Sequence, residues 1–124
     1  MERFKIAIVV PAFNEEKTIS DVIKDLKKYS DVIVVDDNSS DNTYNLAKKN
    51  NVILIKNKKN LGYENTLYVG IIKAIELDYD YAITFDADGE HHASDCTKFI
   101  ELIQSGYDLV IGNRSHIVRF SEKL

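Results

Sequence analysis

The chain has 124 residues, of which 44% are hydrophobic, and this size fits one domain with a buried core rather than two domains. Its formal net charge is -4, so it lacks the overall positive field that favours nucleic-acid binding. Cys96 is the only cysteine, which excludes an intramolecular disulfide and favours a reducing cytoplasm. The sequence contains no apolar run of about 18 residues, so we expect neither a transmembrane helix nor a signal peptide.

Five short runs of mostly β-branched or aromatic residues predict the strands of the fold. They lie at 6–10, 32–35, 52–55, 81–85 and 109–111. Because apolar and polar residues do not alternate within them, the runs are typical of strands that are buried on both faces of a parallel sheet.

Helical patterns separate these runs. The segment at 15–28 has apolar residues at i, i+3, i+4 and i+7, with two glutamates in its first turn and two lysines in its last, as the helix dipole favours. A more polar helix is predicted over 41–50, with Ser40 or Asp41 as its N-cap. A strongly apolar helix is predicted over 64–77. Its buried stripe is expected to consist of Leu67, Ile71, Ala74 and Ile75.

A fourth helix is predicted before the last run. Ser94 or Asp95 is its expected N-cap, Gln104 its last residue and Gly106 the stop signal that follows. Within this helix we expect Cys96 to be a buried structural thiol rather than a nucleophile.

The alternation of five strands with four helices predicts an α/β fold in one domain covering 1–124. Parallel strands joined by right-handed helical crossovers form a Rossmann-like, doubly wound, mostly parallel sheet. The expected strand order is 3-2-1-4, with strand five beyond strand four.

Polar residues follow each predicted strand. The segments after strands one to five are 11–16, 36–43, 56–62, 86–92 and 112–114. Since open α/β sheets bind ligands at the carboxyl ends of their strands, the five segments predict one site along a single rim.

The sequence Asp86-Ala87-Asp88-Gly89 follows strand four directly. Carboxylates at i and i+2 lie on one side of an extended backbone, and such a pair, joined by substrate phosphates, is a common way to hold Mg²⁺ or Mn²⁺. Glu90, two positions further on, is a third candidate ligand. The alternative is a simple turn, because Asp-Gly is also a common turn sequence.

Other rim residues suit a nucleotide. Asp36 or Asp37 can accept hydrogen bonds from a base or a ribose, although either could instead serve a turn or a helix cap. Phe13 offers apolar packing, and Arg114 could bind a diphosphate with two parallel hydrogen bonds. For Arg114 the alternative is an exposed arginine in a surface salt bridge.

Five segments, in this order, resemble successive motifs of family 2 glycosyltransferases. The resemblance is strongest to the branch that transfers mannose or glucose to dolichol phosphate or polyprenyl phosphate. The segments are Val-Val-Pro-Ala-Phe-Asn-Glu-Glu at 9–16, Val-Val-Asp-Asp-Asn-Ser-Ser-Asp-Asn-Thr at 34–43, Asn-Leu-Gly-Tyr at 60–63, Asp-Ala-Asp-Gly-Glu-His at 86–91 and Val-Ile-Gly-Asn-Arg at 110–114. Together they cover nearly the whole chain, which makes the resemblance far more specific than any single motif.

The resemblance implies a GT-A fold and an inverting transfer of sugar from a UDP- or GDP-linked donor to a lipid phosphate or a glycan. It implies Asp86 and Asp88 as an Asp-X-Asp motif that binds Mg²⁺ or Mn²⁺, with Glu90 beside them. Asp88 and Arg114 would act at the reacting diphosphate. The residues that it places around the nucleotide are Pro11, Phe13, Asn14, Glu15, Asp36, Asp37 and Asp86. A protein of this kind is expected in the cytoplasm, including the inner face of the membrane.

The resemblance also predicts missing parts, because catalytic domains of this family are longer than 124 residues. The absent segment would complete the sheet and the acceptor pocket. We therefore expect strand five at an exposed edge, or an uncovered apolar face through which two copies could form a homodimer.

Three alternatives have different chemistry. A non-catalytic nucleotide-binding remnant would keep the site without turnover. A receiver domain would need its acidic pair after strand one, a phosphorylatable aspartate after strand three and a lysine after strand five, whereas those strand ends here have Asn14-Glu15, Lys56-Asn57 and Gly112-Asn113-Arg114. A sugar nucleotidyltransferase would need a glycine-rich phosphate loop after strand one, where this chain has Pro11-Ala12-Phe13-Asn14.

Overall fold

The protein is described from a computed structural model, which describes residues 4–90, 92–105, 109–111 and 116–119. Strands and helices alternate from the first strand to the fifth, and a sixth strand follows. The elements are β1 (Ile6–Ala12), α1 (Ile19–Leu26), β2 (Asp31–Asp36), α2 (Thr43–Lys49), β3 (Ile53–Lys56), α3 (Tyr63–Glu76), β4 (Tyr81–Thr84), α4 (Asp95–Gln104), β5 (Leu109–Ile111) and β6 (His116–Arg119).

All six strands form one sheet in the order β3-β2-β1-β4-β6-β5. The pairs β1–β2, β1–β4 and β2–β3 are parallel. This confirms the predicted doubly wound arrangement and the order 3-2-1-4.

The prediction for strand five is wrong in one respect, since β5 does not lie directly beside β4. β6 is inserted between them and runs antiparallel to both, with Ile117 opposite Ile83 on one side and Val110 on the other. β5 is thus at an edge of the described sheet, as expected, but one position further out. The four residues between β5 and β6 suit an antiparallel connection, whereas a parallel pair needs a long crossover.

The two faces of the sheet carry separate hydrophobic cores. Alternate residues of β1 point to opposite faces, so Ile8 and Val10 pack with α1, α2 and α4, whereas Ala7 and Val9 pack with α3. Helices therefore cover both faces, which is the layering of a doubly wound α/β fold.

Helix α3 lies unusually close to the sheet because its inner face is small. Its buried residues are Thr66, Gly70 and Ala74. Of the predicted buried stripe, only Ala74 is therefore fully buried, whereas Leu67, Ile71 and Ile75 are partly buried beside it. A Cβ atom at Gly70 would lie 2.3 Å from Val9 Cγ1 and 3.1 Å from Val35 Cγ2. Glycine at this position is what allows the close approach.

The helix starts differ from some predictions. Helix α1 begins at Ile19 rather than near Glu15. It is preceded by a turn in which the Glu15 carbonyl accepts hydrogen bonds from the Thr18 and Ile19 N–H groups. Asp41 lies one position before the N-cap residue of α2, and its Oδ1 accepts the Thr43 N–H at 2.9 Å.

The N-cap prediction for α4 is confirmed in position but not in its side-chain contact. Ser94 occupies the N-cap position but has helical backbone angles, and its side chain makes no capping hydrogen bond. Cys96, in the first turn, is fully buried as expected. Burial and the neighbouring Asp95 charge raise the pKa of its thiol to about 12. Among the described helices, none combines the length and apolar character needed to span a bilayer.

Candidate functional site

A cavity of about 390 Å³ opens at the carboxyl ends of the parallel strands, the place where ligands bind in open α/β sheets. Its volume falls in the usual range for small-molecule sites, roughly 300–1,000 Å³. The residues that line it are Pro11, Ala12, Phe13, Glu15, Asp37, Asn60, Gly62, Tyr63, Thr66, Asp86, Ala87 and Asp88. They come from the ends of β1, β2 and β4 and from the start of α3.

The loop after β1 is held in shape by Asn14. Its φ of 53° is left-handed, a conformation that asparagine tolerates better than most residues. Its Oδ1 accepts the Ser40 N–H at 2.9 Å, and its own N–H donates to Ser39 Oγ at 2.8 Å. The loop after β1 is therefore bound to the loop after β2, while the neighbouring Phe13 ring stays 48% exposed at the cavity.

Further hydrogen bonds connect the same two loops. The Glu15 N–H donates to Thr43 Oγ1 at 2.8 Å, and the Glu16 N–H donates to Asp41 Oδ2 at 3.3 Å. In return, Glu16 Oε2 accepts the Asn42 N–H at 3.1 Å. These bonds fix the backbone of Glu15, whose side chain lines the cavity.

Asp37 is a buried carboxylate that organises the other side of the cavity. Its Oδ1 accepts the Asn57 side-chain amide at 2.9 Å and the Leu61 N–H at 2.7 Å, and its Oδ2 accepts the Gly62 N–H at 3.0 Å. Burial alone would raise the pKa of Asp37, but these hydrogen bonds, with a smaller one from Thr66, outweigh it and lower the pKa. Asp37 is therefore ionised at neutral pH.

Asp36 has a different environment from its neighbour. It is fully buried and does not line the cavity. Its Oδ2 accepts the Ser39 N–H at 3.2 Å, whereas Oδ1 has no hydrogen-bond partner among the residues that the structure describes. The geometry thus gives Asp36 a turn-forming contact and leaves Asp37 facing the cavity.

Three carboxylates form the acidic side of the cavity: Glu15, Asp86 and Asp88. The pKa of Glu15 is raised, first by burial and then by the charge of Asp88; Asp41 and Asp86 add to this, and a hydrogen bond with Thr18 opposes it. Mutual repulsion of this kind would be relieved by a bound cation.

Hydrogen bonds orient the segment after β4. Asp88 Oδ1 accepts the Glu90 N–H at 2.9 Å, and Thr18 Oγ1 donates to the Ala87 carbonyl at 2.6 Å. Tyr63 Oη donates to Asp86 Oδ1 at 2.9 Å. Each carboxylate of the Asp-X-Asp sequence therefore has one oxygen held by a donor.

The oxygen atoms on the acidic side of the cavity suit a hard cation that also binds a phosphate ligand. The available groups are carboxylate oxygens, which Mg²⁺ and Mn²⁺ prefer. In the described part of the chain, no three His, Cys, Asp or Glu side chains are close enough to hold a metal by themselves. Phosphate oxygens would have to complete the coordination, as is usual for Mg²⁺ in nucleotide sites.

The cavity brings together six of the residues that the sequence singled out. They are Pro11, Phe13, Glu15, Asp37, Asp86 and Asp88. Asn14 and Asp36 support the loops without lining the cavity, and Glu90 also lies outside its lining. Arg114 is not among the described residues.

Four polar or backbone contributors to the cavity were not predicted as site residues: Asn60, Gly62, Tyr63 and Thr66. Asn60 and Gly62 belong to a motif that follows β3, so their position at a strand end was an available signal. Tyr63 and Thr66 lie in α3 outside its predicted apolar stripe, and no helical pattern indicated that they would reach the cavity.

Comparisons with known proteins agree with this geometry. An uncharacterized protein of Methanocaldococcus jannaschii is 45% identical over 113 residues, which cover 89% of this chain and 46% of that protein. A UDP-N-acetylglucosamine–dolichyl-phosphate N-acetylglucosaminyltransferase of Methanococcus voltae is 38% identical, covering 88% of this chain and 51% of that protein. The chain thus spans about half the length of these relatives.

The fold matches solved structures as well. Glucosyl-3-phosphoglycerate synthase of Mycobacterium tuberculosis, in complex with Mn²⁺, UDP and glucosyl-3-phosphoglycerate, superposes with a TM-score of 0.70 at 22% identity. The match covers 86% of this chain and 42% of that one, and it shows the GT-A fold.

The family profile described as Glycosyl transferase family 2 matches residues 7–121. This match covers nearly all of the chain and includes all five motifs, so the receiver-domain and nucleotidyltransferase alternatives are set aside. The chain belongs to glycosyltransferase family 2.

Proposed function

We propose that this chain forms the donor site of an inverting glycosyltransferase, binding a nucleoside-diphosphate sugar together with Mg²⁺ or Mn²⁺. One observation carries the proposal: the same cavity contains the hydrogen-bonded carboxylate of Asp37 and the paired carboxylates of Asp86 and Asp88. A nucleotide sugar needs these two kinds of contact, one for its nucleoside and one for its diphosphate.

The nucleoside would lie against Asp37 and Phe13. Asp37 is held ionised by its hydrogen bonds, and an ionised carboxylate can accept from a base N–H or a ribose hydroxyl. The half-exposed Phe13 ring offers an apolar surface to the base or the ribose. Pro11 and Asn60 complete this part of the lining.

The diphosphate would lie at the acidic side. Asp86 and Asp88 would hold the cation, with Glu15 close enough to influence it electrostatically. A bound divalent cation supplies Lewis-acid stabilisation to the departing nucleoside diphosphate. The protein's own contribution is to orient the two carboxylates before the donor arrives. By resemblance, Arg114 would add a guanidinium to the same diphosphate.

For the acceptor we propose a polyprenyl phosphate. The Methanococcus voltae relative is named for transfer to dolichyl phosphate. A phosphate acceptor is already an anionic nucleophile and needs little activation by a base. Such a substrate would bring the protein to the inner face of the membrane.

Calorimetric titration with a panel of UDP- and GDP-linked sugars, with Mn²⁺ and with a chelator instead, tests the donor site. We expect one nucleotide class to bind, and only when Mn²⁺ is present. Nucleotide binding that is equally strong with Mn²⁺ and with the chelator, or no binding of any nucleotide, would contradict the proposal.

The Asp88→Asn variant sharpens this test. Asp88 is exposed at the rim, so the variant should unfold at nearly the wild-type midpoint while losing the metal-dependent part of nucleotide binding. Asp25→Asn is the matched control, because Asp25 is an exposed aspartate of α1 whose partner is Lys28 at 3.5 Å. Transfer of labelled sugar to polyprenyl phosphate then separates an enzyme from a non-catalytic binding protein.

A further inference from the structure

Tyr63 brings a phenol hydroxyl to the acidic side of the cavity. It is the first residue of α3, and its Oη lies 2.9 Å from Asp86 Oδ1. Both residues line the cavity, but they are 23 positions apart in the sequence. The contact therefore joins the start of α3 to the segment that follows β4.

The backbone that carries Tyr63 is itself fixed. Gly62 has a φ of 88°, which favours glycine, and its N–H donates to Asp37 Oδ2 at 3.0 Å. The Gly62 carbonyl accepts the Thr66 N–H at 3.0 Å and so begins the helix. The hydroxyl of Tyr63 is thus presented to Asp86 from an anchored helix start rather than from a loose loop.

The ring of Tyr63 has little role in packing. The residue is 55% exposed, and phenylalanine would occupy the same space. What distinguishes tyrosine here is the hydrogen bond to Asp86, so its removal should affect Asp86 more than the stability of the fold.

We propose that Tyr63 is a positioning residue for Asp86, whose carboxylate it holds in the orientation that binds the cation of the nucleotide complex. This inference rests on the function proposed above. A donor on one carboxylate oxygen restricts rotation of the group, so less conformational entropy is lost when the cation binds. Outer-shell hydrogen bonds of this kind typically change metal affinity by about 10–100-fold.

The test is calorimetric titration of UDP, and in parallel of GDP, at a series of Mn²⁺ concentrations for the wild type, Tyr63→Phe and Tyr68→Phe; the nucleotide that binds the wild type is the one compared. Tyr68 is the matched control, since it lies on the same helix, is 66% exposed and does not line the cavity. We expect Tyr63→Phe to need about tenfold more Mn²⁺ for the same nucleotide affinity, the lower end of that range because the site is open. With a chelator we expect no nucleotide binding in any of the three proteins, and with Mn²⁺ Tyr68→Phe should match the wild type.

A second variant, Tyr63→Leu, separates the hydroxyl from the ring and should behave like Tyr63→Phe. The inference is overturned if Tyr63→Phe keeps the wild-type Mn²⁺ dependence, or if it binds Mn²⁺ more tightly, which would mean that the hydroxyl competes with the cation. It is also overturned if only Tyr63→Leu is impaired. A wild type that shows no Mn²⁺-dependent binding of either UDP or GDP removes the proposed function and this inference together, whereas an unchanged Tyr63→Phe removes the inference alone.

Discussion

Replacing Asp37 by asparagine should destabilise the protein although the two side chains have nearly the same size. The carboxylate accepts from three N–H groups, those of Asn57 and Leu61 on Oδ1 and that of Gly62 on Oδ2. An amide has only one oxygen. Its better orientation keeps that oxygen towards Asn57 and Leu61, which places the NH₂ group against the Gly62 N–H.

The cost can be worked out from these contacts. In the lost bond, the Gly62 N–H donates to a charged carboxylate, and hydrogen bonds to charged groups contribute about 1.5–3 kcal/mol. The two remaining bonds become neutral ones and each weakens by roughly 1 kcal/mol, while the smaller desolvation penalty of an amide offsets part of the sum. We therefore expect the free energy of unfolding to fall by about 3 kcal/mol, a large share of the roughly 5–15 kcal/mol of a typical domain.

Urea denaturation followed by far-UV circular dichroism measures this difference. The pH dependence gives a second readout. The folded-state pKa of Asp37 is lowered, so the stability that it contributes is complete above the unfolded-state pKa and is lost as the pH falls through the folded-state pKa. The difference between wild type and variant should therefore stay constant from about pH 7 to about pH 5 and shrink as the pH falls further.

Asp25→Asn again serves as the control, since an exposed ion pair of this kind is worth little. A loss below about 0.5 kcal/mol, the usual range of surface substitutions, would refute the role given to the Asp37 hydrogen bonds. So would a difference that stays constant as the pH falls below about 5.

Three further predictions concern the fold and its loops. Gly70→Ala should destabilise by about 1–2 kcal/mol in denaturant titrations, because a Cβ only 2.3 Å from Val9 Cγ1 puts the overpacking cost at the upper end of its usual range, about 2–3 kcal/mol, while alanine gains about 1 kcal/mol in helix propensity; equal stability would show that α3 can move away from the sheet. Cys96, with its thiol pKa raised to about 12, should react with iodoacetamide at mildly alkaline pH only in denaturant, and rapid labelling of the native protein would contradict its burial. Asn14→Ala should cost about 2 kcal/mol of unfolding free energy, since it loses the bond to Ser40 and strains a left-handed residue, whereas Asn14→Gly avoids the strain and should cost about half as much.

Much of the fold follows from the sequence because its strands are apolar runs and its helices have a clear period. The order β3-β2-β1-β4 was predicted by analogy with Rossmann-like sheets, because the crossover rules alone also allow other doubly wound orders. β6 was missed because His116–Arg119 is short and includes charged or titratable residues at both ends, so periodicity gave no signal. Its position between β4 and β5 depends on pairing between strands that are distant in sequence.

The site was predictable where it follows strand ends and unpredictable where it depends on the approach of a helix. Asp37, Asp86 and Asp88 follow strands directly, and all three line the cavity. Tyr63 and Thr66 reach it because α3 packs closely on the sheet. The close packing of α3 depends on Gly70, and the need for glycine there becomes visible only once Val9 is known to lie opposite it.

The hydrogen bonds between the loops after β1 and β2 have a consequence for binding kinetics. Asn14, Glu15 and Glu16 each connect the two loops, so this wall of the cavity is ordered before any ligand arrives. A preordered wall removes the slow closing step that limits association with mobile loops. Observed association rates should then rise linearly with ligand concentration and show no plateau.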